Sequence, residues 1–333
     1  MERILSWEVE ASENGMRIGD YLRTKRCSHH VLTHLKQTEC GICLNGTWAY
    51  AGQTIKEGDK VQIRIVEEGS SDSIVPVPLP FRVVYEDEDL MVINKPSDMP
   101  IHPSMGNFDN TLANAAAYYY AQQGRPFVYR CINRLDRDTS GLLILAKHMY
   151  SGAVLSQMSA ARQIHREYLA IVAGCLPASG TIDAPIARQE GSALMRCVDF
   201  ANGEHAVTHF RRIRYFPDAH PGSLSGVCCI EKRPLQPVPE DASHPRHSLQ
   251  NGLSLALVHL ETGRTHQIRV HMKYIGHPLI GDFLYHPGST SLISRQALHS
   301  HRLVFSHPVT GKTLAFQCEM PADMQNVLQR VSI

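Results

Sequence analysis

The chain lacks any run of about 18 apolar residues, so no part of it is expected to span a bilayer. It also lacks an excess of charge. Its 33 Lys and Arg against 32 Asp and Glu leave a net charge of +1. A uniformly basic surface is thereby excluded, and any face that meets a polyanion has to be assembled locally. The N-terminal stretch MERILSWEVEASENG is acidic and has no apolar signal core, so a cytoplasmic location is expected. Nine cysteines, an odd number scattered over 333 residues, do not suit the disulfide frameworks of small secreted domains. A glycine-rich phosphate loop ending in lysine is missing, as is a dinucleotide fingerprint. The chain thus shows no motif for ATP or a dinucleotide, and no cofactor or metal is assigned.

What is present is an ordinary globular composition, 43% hydrophobic and 20% charged. The length fits one large domain and one small one. Residues 15–66 carry the pattern of the small one, with its boundaries set at 1–68. MRIGDYLRTK predicts a short amphipathic helix with Ile18, Tyr21 and Leu22 inward, and a second helix follows over 29–36 with Val31, Leu32 and Leu35 inward. Asn45-Gly46 is a hairpin turn signal, and Gly58-Asp59 precedes the alternating strand VQIRI. Residues 69–80, GSSDSIVPVPLP, have the Ser/Pro composition of a linker.

From residue 81 to 333 strands come in runs. FRVVYEDEDLMVINKP reads as two strands around an acidic turn, and residues 110–122 as a helix. GLLILAK follows as a buried strand and HMYSGAVLSQMSAARQ as a helix. REYLAIVAG, AVTHFRRIRYF and LSLALVHLETG read as strands, and RTHQIRVHMKYIG as a helix. Two more strands and a helix beginning near Ala322 complete the chain. Runs of strands predict an α+β fold with a mainly antiparallel, mixed sheet flanked by helices. Residues 217–252, rich in Pro, Ser and His between two strong strands, read as a surface insertion.

Three segments could carry chemistry. In NRLDRDTSGLLILAK a loop of short polar residues places Asp136 between Arg134 and Arg137, ahead of a buried strand. In ETGRTHQIRVH two arginines, Arg264 and Arg269, cluster with His266 and Gln267 at the start of a helix, a position that favours anions. In REYLAIVAG, Tyr168 sits inside a strand. Taken singly, each has a plainer reading: a loop ion pair, a solvated helix face, and a core tyrosine.

Taken together and in order, these strings resemble the RluA-type family of RNA pseudouridine synthases. The resemblance runs from about residue 81 to the end. It rests on INKPSDMPIHP, NRLDRDTSGLLILAK, HREYLAIVAG, ETGRTHQIRVHMKYIGHPLIGD and LHSHRLVFSHPVTGK. The N-terminal module is similar to the RNA-binding domain first seen in small-subunit ribosomal protein four. The resemblance implies the pseudouridine-synthase fold, with Asp136 as catalytic aspartate, Tyr168 as active-site tyrosine and Arg269 as the basic partner of the aspartate. Arg134 resembles the arginine that fills the gap left by a flipped base. Arg137, Arg264, His266, Gln267, Lys95 and His102 are expected to contact RNA. The implied partner is RNA, ribosomal in preference to transfer RNA. The expected form is a monomer with no obligate protein partner. One departure stands out: many relatives carry His before the RLD string, where this chain has Asn133.

Competing readings remain. Cys27, His29, His30, Cys40 and Cys43 lie close enough in sequence to raise a zinc site, although Ile42 and Leu44 alternate as a strand and point Cys40 and Cys43 apart. Cys228-Cys229 has no partner set. A non-catalytic RNA-binding or ribosome-assembly protein on the same scaffold would be expected to lack one of Asp136, Tyr168 or Arg269. A glycoside hydrolase would need two carboxylates flanking the bond, and the motifs supply one.

Overall fold

The computed structural model describes residues 1–71, 73–217, 252–289 and 291–331. The expected insertion at 217–252, with Cys228 and Cys229, lies almost wholly outside them. The N-terminal unit is a four-stranded sheet of order β1-β4-β2-β3. Its strands are β1 (Glu2–Glu8), β2 (Ile42–Leu44), β3 (Thr47–Trp48) and β4 (Lys60–Val66), and helices α1 (Ile18–Thr24) and α2 (His29–Gln37) pack on it. Asn45 has the left-handed φ of 51° that its hairpin turn requires. The pattern read from residue 15 onward did not include β1. That strand pairs antiparallel with β4 along its whole length, but only Leu5 of its seven residues is buried, so its alternation is faint.

The second unit is built on a nine-stranded sheet. In chain order its strands are β5 (Arg82–Glu86), β6 (Leu90–Lys95), β7 (Ser140–Ala146), β8 (His165–Ala173), β9 (Ser179–Asp183), β12 (Val207–Phe216), β13 (Leu253–Leu260), β14 (Leu298–Ser306) and β15 (Thr313–Gln317). A separate hairpin is made by β10 (Ile186–Arg188) and β11 (Arg196–Val198). Helices α3 (Leu112–Ala121), α4 (Met149–Ala160), α5 (Gln267–Tyr274) and α6 (Ala322–Arg330) complete the unit. The sheet order is β5-β6-β7-β14-β8-β13-β12-β9, with β15 also on β14. Every pairing within it is antiparallel except β7 with β14. The mainly antiparallel, mixed sheet is therefore as expected.

Both faces of β7 are covered, which is why it reads as one continuous apolar run. Leu142, Ile144, Leu90 and Val92 face α4 and the N-terminal unit, while Leu143, Leu145, Met91 and Ile93 face α3. The N-terminal unit thus shares a hydrophobic core with the large sheet. Polar contacts reinforce that docking. Glu67 accepts both Nη groups of Arg130, at 3.1 and 2.6 Å, and Tyr150 donates to the Lys25 carbonyl at 2.9 Å. The described residues of the 69–80 segment have no regular structure, yet Ser70 and Ser71 accept the Phe127 and Tyr129 amides, and Asn114 of α3 donates to the Val75 carbonyl.

Candidate active site

Asp136 lies on the loop that enters β7, and the loop is held from beneath. The buried Lys95 ammonium donates to the carbonyls of Pro96, Met99 and Arg137 at 2.7, 2.9 and 2.8 Å. Arg295 Nη1 donates to the Asp138 carbonyl at 3.0 Å, and two further bonds from Arg295 to Asp323 fix the guanidinium. Carbonyls on both sides of Asp138 are therefore tied to buried cations. Asn133, the departure from the usual histidine, is buried and accepts the Ile144 amide at 2.9 Å, which ties the loop's start to β7. At the loop's end Gly141 has a φ of +115°, and a Cβ there would stand 2.3 Å from the Ser300 carbonyl oxygen. Only glycine lets β7 and β14 approach in parallel at this point.

The Asp136 carboxylate faces Arg269 of α5. Arg269 Nη1 donates to Asp136 Oδ2 at 3.1 Å. The rest of that guanidinium is engaged by Asp282: Nε donates to Oδ2 at 2.7 Å and Nη2 to Oδ1 at 2.8 Å. Asp282 is fully buried and also accepts the Leu284 and Tyr285 amides. Burial opposes the charge on Arg269, but the Asp282 and Asp136 carboxylates outweigh it and hold the guanidinium above its usual range. Arg269 also lies over the Tyr285 ring, 5.0 Å from its centre. The fixed guanidinium beside Asp136 sets the direction of its carboxylate.

Tyr168 of β8 stands across the same cleft. In register it is opposite Ser300 on one side and Val258 on the other, and it is almost fully buried. Burial pushes its phenol above the usual range. The cleft has a volume of about 540 Å³ and is lined by Asp136, Tyr168 and Arg269, with Arg134, Arg166 and His266 among its other walls. One partly exposed carboxylate, a guanidinium locked on it and an aromatic ring thus converge from three distant segments of the chain.

Residues 89–274 match the sequence family described as RNA pseudouridylate synthase. Among curated proteins, one named an uncharacterized RNA pseudouridine synthase, YjbO of Bacillus subtilis, is 34% identical over 94% of this chain and 99% of its own. The chain belongs to the RNA pseudouridylate synthase family. A ribosomal large subunit pseudouridine synthase D of Zymomonas mobilis is 39% identical, over 78% of this chain and 75% of its own. The solved structure of human RNA pseudouridylate synthase domain containing 1 superposes with a TM-score of 0.53 at 22% identity, over 76% of this chain and 95% of that one, and shares the fold. The protein is an RNA pseudouridine synthase, an isomerase, and the non-catalytic alternative is not favoured.

The remaining residues expected to meet RNA in this pseudouridine synthase fall into two groups. Arg134, Arg264 and His266 line the cleft. Arg134 is exposed, and Arg264 is tied to Glu204 and to the His205 carbonyl at the rim. Lys95, His102 and Arg137 do not line it. Lys95 is a correction to the sequence expectation, because its three carbonyl bonds are internal and its side chain is wholly buried. Arg137 pairs with Asp98 (Nε to Oδ1, 2.7 Å), and His102 packs edge-on against Tyr129. Gln267 is a second correction. It forms part of the wall, but its amide accepts from Thr262 and Arg264 and donates to Val207 and Thr208, so none of its polar capacity faces RNA.

Sequence reading missed Asp282 and Tyr285. Asp282 closes the IGD string that carried the resemblance, and a buried arginine expected to need a carboxylate was the available signal. The cysteine cluster is not assembled as a metal site. Cys27 lies in the apolar core, where burial pushes its thiol up to about 12, and the Cys43 thiol donates to the Cys40 carbonyl. Among the described residues, Asp87, Asp89 and His307 do bring ligand atoms within 4.8 Å of one another. That set is already engaged. His307 Nδ1 accepts the Val309 and Thr310 amides, Nε2 lies 2.9 Å from Asp87, and Arg3 and His148 occupy Asp89.

Proposed function

We propose that this enzyme converts uridine to pseudouridine in ribosomal RNA, with Asp136 as the carboxylate that engages the target nucleoside. The observation that carries the proposal is the Asp136 carboxylate, one quarter exposed on the cleft and held by Arg269 at 3.1 Å, with Tyr168 on the same cleft. Relatives at 34–39% identity, named ribosomal large subunit pseudouridine synthase D, support ribosomal over transfer RNA.

The reaction breaks the bond between uracil N1 and ribose C1′, turns the base and joins C5 to C1′. C5 gives up a proton and N1 gains one, so no atom is added or lost. The target base has to leave its stack, at a cost of a few kcal/mol. Tyr168 supplies a ring against which a flat uracil can rest, worth about 1–3 kcal/mol. Arg134, exposed at the cleft wall, is the residue proposed to occupy the vacated stack. Asp136, paired with Arg269, is the group able to act on the sugar or the base.

The N-terminal unit is proposed to contact RNA as well. Trp48 and Tyr50 are exposed there and stacked, with centroids 6.2 Å apart, and form the surface to substitute. Deleting residues 1–68 is the wrong test, because it would strip Leu90, Val92, Leu142 and Ile144 of their packing. A cytoplasmic monomer acting without an obligate protein partner completes the proposal.

The test is a map of pseudouridine in total RNA from a deletion strain, restored with wild type or Asp136→Asn. One or more ribosomal sites should vanish on deletion, return with wild type and stay absent with Asp136→Asn. Loss confined to transfer RNA would refute the substrate. Full restoration by Asp136→Asn would refute the role of the carboxylate.

A further inference from the structure

His266 enters the cleft in an unusual backbone state. It is the residue before α5, with a left-handed φ of 59° and ψ of 19°, where non-glycine residues are uncommon. Helix α5 therefore starts at Gln267 and not at Arg264, as the hydrophobic period had predicted. The left-handed turn brings the imidazole between two named groups. Its Nδ1 is 2.9 Å from the Tyr285 hydroxyl, and its Nε2 is 3.9 Å from Asp136 Oδ2.

The direction of the Tyr285 bond can be worked out. The Arg196 amide of β11 donates to the Tyr285 oxygen at 2.9 Å, and an amide can only donate. Among the described residues the phenol's own hydrogen has no acceptor within hydrogen-bond distance other than His266 Nδ1, so the hydroxyl donates there. A neutral imidazole accepting at Nδ1 carries its proton on Nε2, the nitrogen that faces Asp136. The charged and titratable groups around the ring come from every element packed on it: Asp136 from the loop, Arg269 from α5, Asp282 and Tyr285 from the segment after α5, and Arg196 from β11. Burial favours the neutral ring, Asp136 and Asp282 oppose that, and the two arginines support it. The balance lies below histidine's ordinary value.

We infer that His266 and Tyr285 are positioning residues for the reaction: Tyr285 fixes the Nε2–H tautomer of His266, and His266 together with Arg269 holds Asp136 Oδ2, so that Oδ1 is the oxygen presented to the nucleoside. Both donors approach the same oxygen, Arg269 at 3.1 Å and His266 at 3.9 Å. The longer distance closes to a hydrogen bond when RNA fills the cleft, as commonly happens between free and substrate-bound sites. The hairpin of β10 and β11 enters the same chain of contacts through the Arg196 amide, so its seating bears on the carboxylate. This reassigns His266 from RNA contact to alignment of Asp136, and it rests on the proposed role of Asp136.

Two variants and one spectrum test the inference. Tyr285→Phe keeps the ring beneath Arg269 and removes the hydroxyl. His266→Asn keeps a residue that tolerates the left-handed turn and removes the imidazole. On an unmodified large-subunit ribosomal RNA transcript, each should slow single-turnover pseudouridine formation at saturating enzyme by about tenfold, because Asp136 Oδ2 loses its second donor or that donor's fixed tautomer. RNA affinity and its salt dependence should stay unchanged. Weakened RNA affinity with the saturated rate retained would make His266 an RNA contact and overturn the inference. Separately, nitrogen-15 spectra of histidine-labelled wild type, with His266 assigned by its loss in His266→Asn, should show its proton on Nε2. A proton on Nδ1 would overturn the inference whether or not either variant folds. If wild type forms no pseudouridine, the functional proposal fails, while the tautomer measurement still decides the contact between Tyr285 and His266.

Discussion

Arg269 and Asp282 form a two-point ion pair in the interior, with bonds of 2.7 and 2.8 Å, and the pair leaves one guanidinium nitrogen directed at Asp136. The cation beside Asp136 is thus oriented by a carboxylate that never reaches the cleft surface. Asp282→Ala should cost about 3–5 kcal/mol of stability, because it strands a buried charge. Urea unfolding measures that cost. Isomerisation should fall as well, since Arg269 loses its orientation. An unchanged unfolding midpoint would show that the pair does not hold Arg269.

Gly141 joins the Asp136 loop to β7, where a Cβ would meet the Ser300 backbone. Gly141→Ala should destabilise the protein by at least about 2 kcal/mol, through both the contact and the backbone conformation. Activity should drop further than stability alone explains, because the loop has to shift. Thermal unfolding alongside a single-turnover assay separates the two effects.

Lys95 and Arg134 should part company in binding. Lys95 holds three internal carbonyls, so Lys95→Met should lower stability by about 2–3 kcal/mol and leave the salt dependence of RNA affinity unchanged. Arg134→Ala removes an exposed charge from the cleft, and both RNA affinity and the slope of log affinity against log salt should fall. Filter binding over a range of salt concentrations decides this. A changed slope in Lys95→Met would return that residue to the RNA-contact set.

Asp89 should make the fold acid-sensitive. Burial pushes its carboxyl up, but His148 and Arg3 outweigh burial and lower it from 3.8 to about 2. Between those values the unfolded chain takes up the proton and the folded chain does not. Stability is therefore complete above about pH 4 and is lost as the pH falls towards 2, by roughly 2 kcal/mol. Asp89→Asn should be less stable at neutral pH and show a flatter acid limb in urea titrations. Because Arg3 belongs to the N-terminal sheet, the variant should also loosen that unit's docking, read as faster hydrogen exchange in β1.

The sequence by itself determined the strands and helices whose periodicity is strong. It also determined the mainly antiparallel character of the sheet, through the local signals of alternation and helical spacing. Asp136, Tyr168 and Arg269 were singled out differently, by the family resemblance that their motifs carry together and in order along the chain. Tertiary structure decided the rest, because each remaining feature depends on contacts between distant segments. Leu5 is the only buried residue of β1, so that strand is defined by its pairing with β4 and not by its own pattern. Lys95 and Gln267 look like RNA ligands until the fold surrounds them with carbonyls and hydroxyls. Asp282 and Tyr285 follow α5 closely in sequence, but only the turn after that helix brings one against Arg269 and the other against His266. The carboxylate was legible from the chain, whereas the groups beside its Oδ2 were placed by how those later residues pack, Asp282 against Arg269 and Tyr285 against His266.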